Sequence, residues 1–190
     1  MLDRVRMPDA AARARRYPHE FSRGMRQRAM IAMALLVKPR LLLADEPTTA
    51  LDVTIQPQII DILAEIVRES GTAIIFVTHD IGVVAHLYDR VAVLYGGRIM
   101  EKGPAGPIFA DPRHPYVADL LRVTPRMVAV IGPRLDTIPG TPRSGGAMLP
   151  GCPFAPRCTL RVEVCDGVQP PLADIGPDRR AACHLLGRAQ

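Results

Sequence analysis

Residues 40–52 read RLLLADEPTTALD. Leu41, Leu42, Leu43 and Ala44 form an apolar run of strand length, the pattern expected of a parallel strand covered on both faces. Asp45 and Glu46 follow directly, and Pro47 stops the strand. Open α/β sheets carry their chemistry just beyond the carboxyl ends of such strands. Of two adjacent acids in that place, one suits a hard cation held through oxygen, and the other suits a water to be oriented or deprotonated. For the acids taken alone, an acidic turn after an ordinary strand is an equal alternative.

The segment before this strand, FSRGMRQR (Phe21 to Arg28), runs into MIAMALLV. Ser22 is placed as an N-cap, and Met25, Ala29, Met30, Met33, Leu36 and Val37 give a helical apolar face. Arg23, Arg26 and Arg28 crowd the positive end of that helix, where each cation costs up to about 1 kcal/mol. A bound anion would reverse the sign; a solvated basic turn is the plainer alternative. Further upstream, Met1 to Glu20 is basic and alanine-rich, which predicts a helix up to Arg16, broken where Tyr17 precedes Pro18.

Downstream, Ile55, Ile59, Ile62, Leu63, Ile66 and Val67 recur at helical spacing within Asp52 to Arg68. Pro57 is tolerated in the first turn, and Ser70-Gly71 closes the helix. Thr72 to Val77 is a β-branched second strand ending in Thr78-His79-Asp80. Polar clusters at the ends of two neighbouring βα units converge on one crevice, although a lone His after a strand is more often structural. Ile81 to Asp89 reads as a short helix. Val91–Leu94 and Arg98–Lys102 flank Tyr95-Gly96-Gly97 as a β-hairpin. Pro104 to Pro112 reads as a turn-rich connector, Pro115 to Arg122 as a last helix, and Thr124 to Gly151 as an extended linker.

With 190 residues, 48% of them hydrophobic, the chain has room for one ordinary domain and a small appendage. The net charge is +5 and the basic excess lies in the first thirty or so residues. Nucleic acid is disfavoured as a partner, because the arginines lack interleaved aromatics and Trp is absent. No run is long and apolar enough to span a bilayer, and the charged start does not resemble a signal peptide. These features predict a cytosolic chain docked on a membrane protein.

Taken together, these stretches resemble the ATP-binding subunits of ABC transporters, in their oligopeptide/dipeptide permease group. FSRGMRQR resembles the signature loop, LLLADEP the Walker-B strand, TALD the D-loop and THD the switch-histidine loop. RHPYVADLL and GCPFAPRC resemble the carboxyl-terminal extension of the peptide importers. The implied fold is α/β and P-loop NTPase-like: an incomplete ABC ATPase core (residues 1–112) and a small Pro/Gly/Cys-rich extension (residues 113–190). The implied function is an ATP hydrolase energising peptide import, with ATP and Mg²⁺ as cofactors. The implied partners are a second ATPase subunit, two transmembrane permease subunits and, indirectly, an extracytoplasmic peptide-binding protein, all at the cytoplasmic face of the membrane. By this resemblance Asp45 holds Mg²⁺ through a water, Glu46 polarises the attacking water, and His79 links the γ-phosphate to Glu46. Ser22, Gly24 and Gln27 face a nucleotide held by the partner subunit, and Asp52 lies at the dimer seam.

Two departures stand out. No G-x-x-x-x-G-K-[ST] occurs in these residues, so the chain resembles the carboxyl-terminal half of a nucleotide-binding domain. A half-domain supplying signature and D-loop residues in trans is therefore the alternative function. Arg23 stands where the signature usually has a glycine, and is either strained there or helps to hold phosphate. A third reading, a relative of the DNA-repair ATPases that share these motifs, lacks any duplex-reading element.

Cys152, Cys158, Cys165 and Cys183, the four cysteines of the chain, are spaced C-x5-C-x6-C-x17-C, unlike a zinc ribbon. Disulfides are unexpected in a cytosolic chain. With nine prolines and glycines from Pro150 to Pro177, this segment has little core of its own, and a metal would supply what the core cannot. Four thiolates suit Zn²⁺ or a [4Fe–4S] cluster, and the resemblance favours the cluster. Buried or idle thiols are the alternative. Arg157 and Arg161 would offset the charge of a thiolate site.

Overall fold

Leu41–Asp45 forms strand β1 and Ala73–Val77 forms β2, paired in parallel register from Leu41 opposite Ala73 to Asp45 opposite Val77. The computed structural model describes residues 1–49, 51–52, 55–82, 84, 88–124, 137–141 and 150–187. Residues 83 and 85–87 of the expected 81–89 helix, and most of the expected 124–151 linker, fall outside the described residues. The chain divides into two compact units, Met1–His79 and Asp80–Gln190.

In the first unit, helix α1 is only Ala10–Arg13, so the expected helix to Arg16 is reduced to one turn among other turns. Val5 and Met7 from this segment are buried in the core instead. Helix α2 (Arg23–Leu36) starts on Ser22, whose Oγ accepts the Met25 N–H at 3.3 Å. Helix α3 (Gln56–Ser70) carries Pro57 in its first turn and ends on Gly71 in the left-handed region. One core joins Ile31, Ala32 and Leu35 of α2 to Ile59, Ile62, Leu63 and Ile66 of α3, with Leu42, Ile74 and Phe76 of the strands packed against it.

Two sequence expectations fail here for one kind of reason. The face of α2 built on Met30, Met33, Leu36 and Val37 is exposed, with Met33 at 61%, while Gly24, Arg28, Ile31, Ala32 and Leu35 are buried. Residues 29–37 are apolar all round, so hydrophobic period alone does not choose a face. Arg28 chooses it: its guanidinium turns inward to the carbonyls of Val5 (2.8 Å) and Arg6 and to Gln58 Oε1 (2.9 Å). Strand β1 is likewise covered on one face only. Leu41, Leu43, Ile75 and Val77 alternate outward, with Leu43 69% exposed.

In the second unit, β3 (Arg90–Tyr95) and β4 (Arg98–Pro104) form the expected hairpin around Gly96-Gly97. The antiparallel sheet continues as β3-β4-β6-β5, with β5 at Ala173–Gly176 and β6 at Arg179–Ala181. The 104–112 connector is partly helical, as α4 (Ala105–Ala110). Helix α5 (Pro115–Val123) begins on His114, whose Nδ1 accepts the Tyr116 N–H at 3.0 Å. Because β6 pairs with β4, the cysteine segment builds on the hairpin rather than standing alone. Buried Glu101 locks this junction: one carboxylate oxygen accepts from Arg179 (2.6 and 3.0 Å), the other from the N–H groups of Arg113 and His114 (3.0 and 2.9 Å). Phe154 is fully buried against Tyr95, Tyr116 and His114.

Candidate active site

Glu46 sits one residue beyond β1, with φ +42, a left-handed conformation that is uncommon for a side-chain-bearing residue. Its N–H donates to the Val77 carbonyl at 2.9 Å, extending the β1–β2 ladder by one rung. Pro47 then turns the chain away, so the side chain stands at the exposed carboxyl end of the sheet. There its two oxygens have different partners. Oε2 accepts the Thr49 hydroxyl at 2.9 Å, and Oε1 lies 3.2 Å from Nδ1 of His79. The Thr49 hydrogen bond first, and the His79 contact second, hold the Glu46 carboxyl below its ordinary value. Glu46 is therefore ionised to lower pH than a free glutamate, the state in which a carboxylate can accept a proton or polarise a water.

The structure thus brings Glu46 and His79 together from residues 33 apart in sequence. Asp45 is the last residue of β1, exposed beside them. Asp52 is also exposed, and its carbonyl accepts the N–H groups of Ile55 and Gln56 at 2.8 and 3.2 Å. Ser22 and Gly24 lie at the start of α2 and Gln27 one turn on. Among the described residues no hydrogen bond connects Ser22, Gly24 or Gln27 with the Glu46–His79 pair. Gly24 has a packing reason to be glycine: a Cβ there would stand 3.2 Å from Cγ2 of Ile55. Arg23 is an ordinary helical residue with negative φ, so the expected backbone strain is absent.

The arginines sort by partner. Arg4 pairs with Glu69 and Arg6 with Glu65, both at 2.8 Å, and Arg16 pairs with Glu20. With Arg28 turned inward, the cations left near the exposed start of α2 are Arg23 and Arg26. Sequence reasoning missed Thr49 as a partner of Glu46; the threonine was legible as part of TALD, but nothing in its spacing marks the contact.

In the second unit all four cysteines line one cavity with His114, Phe154 and His184, and none is in a disulfide. Burial pushes the thiols of Cys152 and Cys183 up, and that of Cys158 up to about 11, while backbone N–H groups directed at these sulfurs act the other way. Among the described residues no three His, Cys, Asp or Glu side chains form a group able to hold a metal ion. In this arrangement burial opposes the charged form of Cys152, Cys158 and Cys183. The donor set still suits a thiolate-held group, because N–H···S bonds such as Leu185 to Cys183 Sγ (3.4 Å) favour the deprotonated sulfur.

Two family models match the chain: one described as ABC transporter, over residues 1–49, and one described as oligopeptide/dipeptide transporter, C-terminal region, over residues 100–165. The oligopeptide transport ATP-binding protein OppD of Salmonella typhimurium is 54% identical over 183 residues, covering 96% of this chain and 54% of that protein. The chain belongs to the ABC transporter family, in its oligopeptide/dipeptide branch. OppD of Escherichia coli K12 matches to the same extent, and OppD of Haemophilus influenzae is 52% identical, covering 97% of this chain and 57% of that protein. The chain spans about half the length of these curated relatives. A solved structure, the dimeric post-hydrolysis state of the ATP-binding cassette MJ0796 bound to ADP and Pi, aligns at 32% identity and a TM-score of 0.48, covering 55% of this chain and 44% of that one. The parallel β1–β2 pair, with α2 and α3 packed against it, is the α/β arrangement expected from the sequence. No described helix is long and apolar enough to cross a membrane.

Proposed function

We propose that these residues belong to an ATP-hydrolysing subunit that energises an ABC importer for oligopeptides or dipeptides. The observation that carries the reading is the Glu46–His79 pair at the ends of two neighbouring parallel strands, in a chain whose relatives are named oligopeptide transport ATP-binding proteins. Phosphoryl transfer asks a protein mainly to position groups and to neutralise charge. Glu46 would orient and polarise the attacking water, and His79 would link that carboxylate to the γ-phosphate. Asp45 would hold Mg²⁺, which would supply neutralisation of charge on the phosphate oxygens.

Ser22 offers a hydroxyl, Gly24 a backbone N–H and Gln27 an amide toward a nucleotide on the second ATPase subunit, and Asp52 meets that subunit at the seam. No phosphate loop of the G-x-x-x-x-G-K-[ST] type lies within these 190 residues. Residues 1–112 derive from the nucleotide-binding domain and residues 113–190 from the extension. The assembly sits on the cytoplasmic face of the membrane, against two permease subunits that receive peptide from an external binding protein. Uptake of a labelled tripeptide by cells with and without this chain tests the reading. Loss of uptake is expected, and unchanged uptake refutes a peptide importer.

The four cysteines hold a [4Fe–4S] cluster or Zn²⁺ in this reading. Its supports are the shared cavity, the N–H groups directed at sulfur and the absence of disulfides among the described residues. Such a group acts as a covalent staple for a segment with a small core. Binding must displace the thiol protons, so affinity rises with pH. Anaerobically purified chain should contain about four irons or about one zinc by elemental analysis. Neither metal above background refutes this part.

A further inference from the structure

The carboxylate of Glu46 is exposed, yet each of its oxygens already has a partner, and one of these partners belongs to the turn that leads to Asp52. The Thr49 hydroxyl donates to Oε2 at 2.9 Å, and the Thr49 N–H donates to the Glu46 carbonyl at 3.2 Å. Thr49 therefore grips the same residue by its main chain and its side chain. The turn itself is anchored. Thr48 is 5% exposed, its carbonyl accepts the Leu51 N–H at 3.0 Å, and Gln56 Nε2 donates to the carbonyls of Thr48 (3.2 Å) and Leu51 (3.3 Å). Gln56 is the first residue of α3, so the seat of Thr49 is referred to a helix packed in the core.

An unrestrained glutamate on a surface samples many rotamers. Orienting a water demands one of them, because misplacement by about 1 Å costs on the order of a hundredfold in rate. His79 restrains one oxygen, which leaves the carboxylate free to pivot about it. A second donor on the other oxygen stops the pivot. Threonine suits this task because its β-branched side chain is stiff at χ1.

We propose that Thr49 is a positioning residue for Glu46: its hydroxyl, acting opposite His79, fixes the plane of the carboxylate that polarises the attacking water. The inference rests on the reading of Glu46 as that carboxylate.

The test uses Thr49→Val, which keeps the shape and removes the donor, with Thr49→Ser as the conservative partner. In the assembled importer, Thr49→Val should lower kcat about tenfold with KM for ATP nearly unchanged. Thr49→Ser, which keeps the donor, should restore kcat. A Thr49→Val protein with wild-type kcat, one whose loss lies in KM and not in kcat, or a Thr49→Ser protein as slow as Thr49→Val overturns the positioning role. Glu46→Gln with undiminished turnover instead overturns the underlying reading of Glu46, and the inference with it.

Discussion

In the importer proposed above, Glu46→Gln should leave Mg-ATP binding intact and lower turnover by about 10²–10⁴-fold, the range associated with loss of a positioned general base. The amide is nearly isosteric, so the end of β1 and the Glu46 N–H bond to Val77 are undisturbed. What disappears is the negative charge, together with acceptor capacity on one of the two atoms that now face Thr49 and His79. Because the side chain is exposed, no burial energy changes and the fold should be unaffected. Steady-state ATPase rates beside equilibrium binding of a fluorescent nucleotide separate the outcomes. Unchanged turnover removes Glu46 from the chemistry, and an equal loss of nucleotide affinity assigns it to binding instead.

Glu101→Gln should cost about 3–5 kcal/mol of stability, the range for breaking a buried ion pair by removing one partner. The side chain of Glu101 is fully buried and that of Arg179 is 10% exposed. Four donor contacts converge on the two carboxylate oxygens, from Arg179 on one and from the Arg113 and His114 N–H groups on the other. An amide presents a donor of its own to one of these sets, and the guanidinium is left buried without a counter-charge. Arg179 also donates to the Asp111 carbonyl, so the damage reaches the end of α4. Urea unfolding followed by tyrosine fluorescence reports on Tyr95 and Tyr116 in this unit. The joint replacement Glu101→Leu with Arg179→Met should recover much of the loss, since both charges leave together. A loss below about 1 kcal/mol for Glu101→Gln would contradict the role assigned to this pair.

Much of the local structure was legible because the residues involved act on their own backbone. Ser22 caps α2, Pro57 sits in a first turn that needs no N–H there, Gly71 ends α3 at positive φ, and Gly96-Gly97 turns the hairpin. Each follows from covalent geometry or from one local hydrogen bond. The order of the motifs was legible for a similar reason: acids placed immediately after an apolar strand fall at its carboxyl end whatever else the chain does.

The face a helix buries, and the partner a charge finds, are different questions. Residues 29–37 offer apolar side chains in every direction, and the rotation of α2 is set by Arg28 reaching carbonyls more than twenty positions away. Arg4 and Arg6, basic residues near few acids in sequence, are neutralised by Glu69 and Glu65 across the packing of α3. Thr49 entered the site only when the turn after Pro47 folded back on Glu46. The sequence by itself determined the two parallel strands, the caps of α2 and α3, the hairpin turn and the end of the strand where the acids stand. Tertiary structure alone decided which surfaces are covered and which polar groups meet, because burial and charge pairing depend on distances in space that spacing along the chain does not encode.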